Sequence, residues 1–331
     1  MSQSPSPVLL SDLGEDQVLT ALLRRVQSPS HIMGAIGPGD DCAVIPVPGS
    51  TSDWLLTSDP VIAGIHFLPE TDPRFIGRKA IGRAISDIAA MGGTPQWIII
   101  NITSPADLPL TTLERVYDGV NEMASAYDST IMGGDIGRGL DFALHVFAIG
   151  QVPHGTAILR SGAAPGDILY VTGELGGSQL GHHLIFSPRV KEGHWLREQG
   201  WATAMMDISD GISTDARRLM QASQVGLDLQ ASRIPISAAA RQMPDGLPPL
   251  QHALNDGEDF ELLFTVRAEQ AELFEKAWAE QFDLPCTPIG QVTDNVQRFR
   301  IIAPDGQPQD WQDQGYVHFS HGSDLSAHKS P

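Results

Sequence analysis

Two cysteines in 331 residues, Cys42 and Cys286, lie far apart and outside any CxxC spacing. They support neither a disulfide framework nor a thiolate metal site. Basic charge is scarce as well: 21 lysines and arginines face 40 acids, for a formal net charge of −19. A grip on a phosphate backbone needs a basic footprint, so the balance argues against nucleic acid as a partner. No apolar run approaches the roughly 20 residues that span a bilayer. The opening MSQSPSPVLL has neither the basic start nor the long apolar core of a secretory signal. The familiar signatures GxxxxGK[ST], GxSxG and HExxH are missing, as is a GxGxxG between strand and helix. The expectation is a cytoplasmic protein without a membrane partner, whose chemistry rests on other residues.

With 41% hydrophobic and 18% charged residues the composition is that of an ordinary globular protein. The length suggests two domains, residues 1–150 and 151–331, with the Gly-, Pro- and Ala-rich stretch 152–167 at the boundary. Apolar patterning predicts an alternation of strands and helices, an α/β class of fold. An N-terminal helix is expected with Asp12 as N-cap and Leu19, Leu22, Leu23 and Val26 on one face. WLLTSDPVI and WIIINITSP read as strands around a helix from about Phe75 to Met91, and a second helix covers roughly Thr111 to Tyr127. ILYVTG, FELLFTV and FRIIAP read as strands of the second half, with helices near Thr214–Ala222 and Glu269–Gln281.

What the chain does have is aspartate beside glycine, repeatedly, at the ends of apolar segments. Asp40 and Asp41 lie in GDDCAV, Asp59 in TSDP, Asp87 in SDIAAMGG, Asp135 in GGDIGRG, and Asp207 and Asp210 in MMDISDG. Each has a plain structural reading: Asp40 and Asp41 as turn residues, Asp59 before Pro60 as a strand end, Asp87 as an i,i+4 partner of Arg83. Together they suggest more. Converging carboxylates repel unless cations lie between them, and magnesium takes hard oxygen ligands from carboxylates and phosphates. Adjacent glycines let the backbone approach a phosphate closely.

In order, GDDCAV, TSDPVIAGIHF, SDIAAMGG, GGDIGRG, LRSGAAPGDILYVTG, SPRV, DISDGIS, DGEDFELLFT, IGQV and GYVHF resemble the thiamine-monophosphate kinase family. That family shares a superfamily with aminoimidazole-ribonucleotide synthetase and selenophosphate synthetase. The likeness spans Gly37 to Phe319. It implies a two-domain aminoimidazole-ribonucleotide synthetase-like fold of the α/β (α+β) type, whose N-terminal sheets pair in a homodimer. It implies ATP-dependent phosphorylation of thiamine phosphate to thiamine diphosphate with several Mg2+ ions. By the same resemblance Asp41, Thr57, Ser58, Asp59, Asp87, Asp135, Asp207 and Asp210 hold metal. Gly133, Gly134, Arg160 and Ser209 contact ATP, and His66, Glu258 and Tyr316 contact thiamine phosphate. No residue is assigned as a general base. The acceptor phosphate, with a second pKa near 6, is already largely ionised at neutral pH, which leaves positioning and charge neutralisation as the work of catalysis.

The chain departs from the family pattern in three places. Ile136-Gly137 stands where two threonines are usual, Ala84 where asparagine is usual, and Asp256-Gly257-Glu258-Asp259 where the block reads GGED. Two alternatives stay open on these residues: another substrate within the superfamily, and a nucleotide- or metal-binding protein without catalysis.

Overall fold

The computed structural model describes residues 8–26, 32–296, 298–303 and 305–310. After a short 3-10 turn at Leu10–Asp12 comes α1 (Glu15–Leu23), and then β1 (Ala43–Pro46), β2 (Ser52–Ile62), α2 (Pro73–Ala90), β3 (Thr94–Ser104), α3 (Leu110–Ala126), β4 (Thr130–Arg138) and β5 (Ala143–Pro153). The five strands form one sheet in the order β1-β2-β5-β3-β4, antiparallel except for the β3–β4 pair that α3 connects. The second half contributes β6 (Ile168–Thr172), α4 (His182–Ile185), α5 (Val190–Gln199), β7 (Ala202–Asp207), α6 (Ile212–Ser223), β8 (Gly226–Gln230) and α7 (Pro249–Asn255). It ends with β9 (Leu262–Val266), α8 (Ala271–Gln281), β10 (Cys286–Thr293), β11 (Phe299–Ile302) and β12 (Pro308–Asp310). Its seven strands run β12-β11-β8-β10-β6-β9-β7. The α/β architecture in two sheets is the one the sequence pattern leads to.

The first sheet buries Leu55, Ile98, Ile100, Leu144 and Val146 against α2 and α3. The alternate residues Trp54, Trp97, Ile99 and Phe147 stand on the other face, about 40% exposed, as the period of two in a strand requires. Every residue of β9 is buried, because apolar clusters cover both faces of the second sheet.

Helix α2 joins the two halves. It packs on β2, β5 and α3, and across to α4, α5 and β7. Its approach to α3 depends on glycine: a Cβ on Gly77 would lie 1.9 Å from the Val116 carbonyl oxygen, and one on Gly119 1.8 Å from that of Arg74. Asp72 caps its N-terminus by accepting from the Arg74 amide at 3.0 Å.

Two local expectations change. Asp12 does not cap α1; its carboxylate accepts from the Leu9 amide, the helix starts after Gly14, and Leu19, Leu22, Leu23 and Val26 are exposed. Asp59-Pro60 does not end a strand. β1 pairs only with Asp53 to Leu56, so beyond that point β2 has β5 alone as neighbour, an edge where proline is tolerated. The segment GGDIGR lies on strand β4. The strand carries a register shift against β3 that leaves Met132 unpaired, with Gly133 at φ +153°.

Candidate active site

Three acids from three separate segments meet beside the C-terminal half of α2. Asp41 precedes β1, Asp87 lies on α2, and Asp207 ends β7. Their carboxylate oxygens lie within 4.8 Å of one another. Asp41 and Asp207 are 8% and 2% exposed. Burial, followed by mutual repulsion, pushes Asp207 up to about 7 and raises Asp87 well above the carboxylate range. Burial and then Asp41 lift the adjacent Asp40 to about 6. Hydroxyls orient two of the acids: Thr57 donates to Asp87 and Ser86 to Asp207.

Arg160 answers part of this charge. It donates through Nε to Asp41 Oδ1 at 3.2 Å, while its amide donates to both oxygens of Asp40 at 3.1 and 3.2 Å. Asp41 Oδ2 remains buried without a partner, which costs free energy unless something else supplies the contact. An all-oxygen cluster with an orphaned carboxylate oxygen fits a hard divalent cation.

The other expected metal residues are placed differently. Asp59 shares the inner face of β2 with Thr57, but its oxygen takes Arg83 Nη2 at 3.2 Å. Ser58 is exposed, its side chain on the opposite face of that strand. Asp135 is exposed on β4 with Gly133 and Gly134, and its Oδ1 accepts from the Ile136 amide at 2.9 Å. Asp210 pairs with Arg218. The loop that presents Ser209 and Asp210 is held from below, where buried Asp215 accepts from both of their amides at 3.0 Å. Sequence reasoning missed Asp215; its signal was an acid in the first turn of the helix that follows DISDG.

Of the residues expected to contact thiamine phosphate, His66 and Glu258 lie toward the other end of α2. His66 is buried, its Nδ1 accepting from the Ile62 amide at 3.1 Å. Glu258 sits at φ +66°, in a loop whose neighbours are fixed: Asp256 accepts from the Gly177 amide, Asp259 from the Gly176 amide, and the Glu258 amide donates to the Ser209 carbonyl. Its carboxylate receives Lys79, Arg83 and Gln179. Arg83 therefore does not pair with Asp87, the plain reading of their spacing. Tyr316 lies outside the described residues.

The AIR synthase related protein N-terminal domain matches residues 39–152, and the AIR synthase related protein C-terminal domain residues 164–302. The chain is 37% identical to the thiamine-monophosphate kinase of Rhodopirellula baltica, over 86% of this chain and 91% of that one. It is 34% identical to the thiamine-monophosphate kinase of Escherichia coli K12, over 93% and 98%. Among solved structures, AaThiL complexed with AMPPCP and TMP superposes with a TM-score of 0.82 at 28% identity, covering 95% of this chain and all of that one.

Proposed function

The chain belongs to the thiamine-monophosphate kinase family, and we propose that it transfers the γ-phosphoryl group of ATP to thiamine phosphate, forming thiamine diphosphate. The observation that carries this reading is the meeting of Asp41, Asp87 and Asp207 from both halves of the chain. The similar structure holds AMPPCP, an ATP analogue in which carbon replaces the scissile bridging oxygen, together with TMP.

Asp41, Asp87 and Asp207 would hold magnesium, with Thr57, Ser58, Asp59, Asp135 and Asp210 as further candidates around them. Magnesium held there would supply positive charge to offset that of the group in transit. Thr57 and Ser86 aim two of the carboxylates. Arg160 sets a fixed positive charge beside Asp41, where it faces the nucleotide, and Gly133, Gly134 and Ser209 offer it close backbone. His66, Glu258 and Tyr316 receive the acceptor. The attacking oxygen belongs to the acceptor's own phosphate, which needs no base at neutral pH. Residues 1–150 supply most of the metal and nucleotide residues and 151–331 complete the site.

The open face of the first sheet supports a homodimer. Trp54 and Trp97 meet edge to face with centroids 6.4 Å apart, and Ile99 lies opposite Phe147 in register. Four such residues exposed together invite burial against a second copy. Trp97→Glu is expected to yield a monomer by light scattering at micromolar concentration, and an unchanged dimer would remove this face from the interface. None of the described helices is long and apolar enough to cross a membrane. We place the enzyme in the cytoplasm with its ATP.

The test is formation of thiamine diphosphate from ATP, magnesium and thiamine phosphate, with an aminoimidazole-ribonucleotide precursor as control acceptor. Magnesium-dependent product from thiamine phosphate alone is expected. ATP binding without product from either acceptor would favour a non-catalytic homologue.

A further inference from the structure

Lys79 is fully buried, unusual for the residue type that most prefers water. Its ammonium donates to the main-chain oxygen of His66 and reaches Glu258 at 2.7 Å to Oε1 and 2.8 Å to Oε2. His66 follows β2 in the first half, whereas Glu258 precedes β9 in the second. One side chain on α2 thus joins the two described residues expected to receive the acceptor. One turn further along the helix, Arg83 repeats the pattern, donating to Glu258 Oε1 at 3.0 Å and to Asp59 Oδ1 at 3.2 Å. Its guanidinium also lies 5.8 Å from the centre of the Phe260 ring.

Glu258 needs this support. A non-glycine residue at φ +66° occupies a sparsely populated region and persists only where its surroundings over-determine it. Gln179 adds a third side-chain donor at 3.1 Å, so both carboxylate oxygens are committed. The carboxylate is consequently fixed in position and balanced in charge. It serves an incoming ligand as an oriented acceptor rather than as a free anion.

Resting on the kinase reading, we propose that Lys79 is a positioning residue for the acceptor subsite, holding His66 and Glu258 in register across the two halves of the chain, with Arg83 coupling that register to Asp59. Lys79 itself faces no substrate. Its removal therefore weakens the acceptor while sparing ATP.

The experiment is steady-state kinetics with each substrate varied in turn, on wild type, Lys79→Met, Lys79→Arg, Glu258→Gln and the double variant Lys79→Met/Glu258→Gln. For Lys79→Met, KM for thiamine phosphate is expected to rise about 10- to 100-fold, on the scale of the loss seen when a group that orients a metal ligand is removed, with KM for ATP nearly unchanged. Lys79→Arg, which keeps the charge and the donors, should recover most of the difference. The double variant should be no worse than the poorer single, because both act on one contact. Equal rises in both KM values, or effects that multiply in the double variant, would overturn the proposal. Should Lys79→Met not fold, Glu258→Gln and Lys79→Arg decide: an acceptor KM unmoved in Glu258→Gln, or an ATP KM moved as far as the acceptor's in Lys79→Arg, overturns it. A wild-type enzyme that makes no thiamine diphosphate would defeat the kinase reading, a failure distinct from a working enzyme whose Lys79 variants show no acceptor-selective loss.

Discussion

Lys79, Arg83 and Asp87 form one stripe along α2 at successive spacings of four, about 12 Å from end to end. At the two ends of that stripe the pKa values of buried acids are shifted in opposite directions. Burial opposes the charge of Glu258, yet Lys79 and then Arg83 outweigh it, and its pKa falls below its ordinary value. Burial opposes the charge of Asp87 and Asp207 too, but there the neighbours are other aspartates, and both pKa values rise. Burial is common to the two regions, so it does not decide the outcome. Resident cations do. At Glu258 the chain supplies its own, whereas in the cluster Arg160 pairs with Asp41, and on the kinase reading magnesium would supply the rest.

The largest test of this contrast removes one acid from the cluster. Asp207→Asn and Asp87→Asn should each lower turnover by at least ~10²-fold, the scale found when an electrostatic contact to the reacting group is lost. Without magnesium the same variants should melt no lower than wild type, because each relieves repulsion. Activity assays beside thermal melts in EDTA check both halves. A variant that loses both activity and metal-free stability would mark the cluster as structural.

The matching change at the other end should act in reverse. Lys79→Met leaves Glu258 buried with one cation fewer, and breaking a buried pair from one side costs about 3–5 kcal/mol. Urea unfolding should show that loss whether or not magnesium is present. If EDTA changed its size markedly, the two ends of the stripe would not be independent.

The pH dependence separates the regions by sign. The folded pKa of Asp207, about 7, lies above the ordinary 3.8. In that interval the native state binds more protons than the unfolded one. Its contribution to metal-free stability is complete below pH 4 and disappears as pH rises through 7. Glu258 is shifted downward, so its contribution is present above its ordinary value and lost as pH falls. In EDTA the melting temperature should therefore drop by several °C between pH 6 and 8, and magnesium should flatten that slope. An EDTA profile that rises over this range would contradict the repulsion.

Much of this layout was legible in the sequence, and the parts that were not share a cause. Long strands such as β2, β3 and β5 and the helices α2 and α3 announce themselves by period, since one face of each is buried. The aspartates announced themselves by recurring beside glycine. Lys79 and Arg83 gave no such sign, because their partner Glu258 lies 179 and 175 residues away, and local spacing offered Arg83 the wrong one in Asp87. Asp59-Pro60 looked like a strand end because a turn signal is local, while the relief that lets the strand continue comes from the shortness of β1. The apolar face of α1 was real as a pattern and yet is exposed: periodicity shows that a face is apolar without showing what covers it.

The smallest expected effect is at the surface of the same helix. Glu122 on α3 takes Arg74 Nε at 2.7 Å and also pairs with Arg78, in an arrangement that resembles Glu258 between Lys79 and Arg83. Its side chain, however, is 34% exposed and that of Arg74 56%. Water solvates both partners whether or not they pair, so Glu122→Gln should cost no more than about 0.5 kcal/mol, and less in high salt. Urea midpoints at low and high ionic strength measure it. A loss comparable to that of Lys79→Met would mean that the number of cations around an acid matters more than the depth at which they meet it, and the contrast along α2 would then need a different explanation.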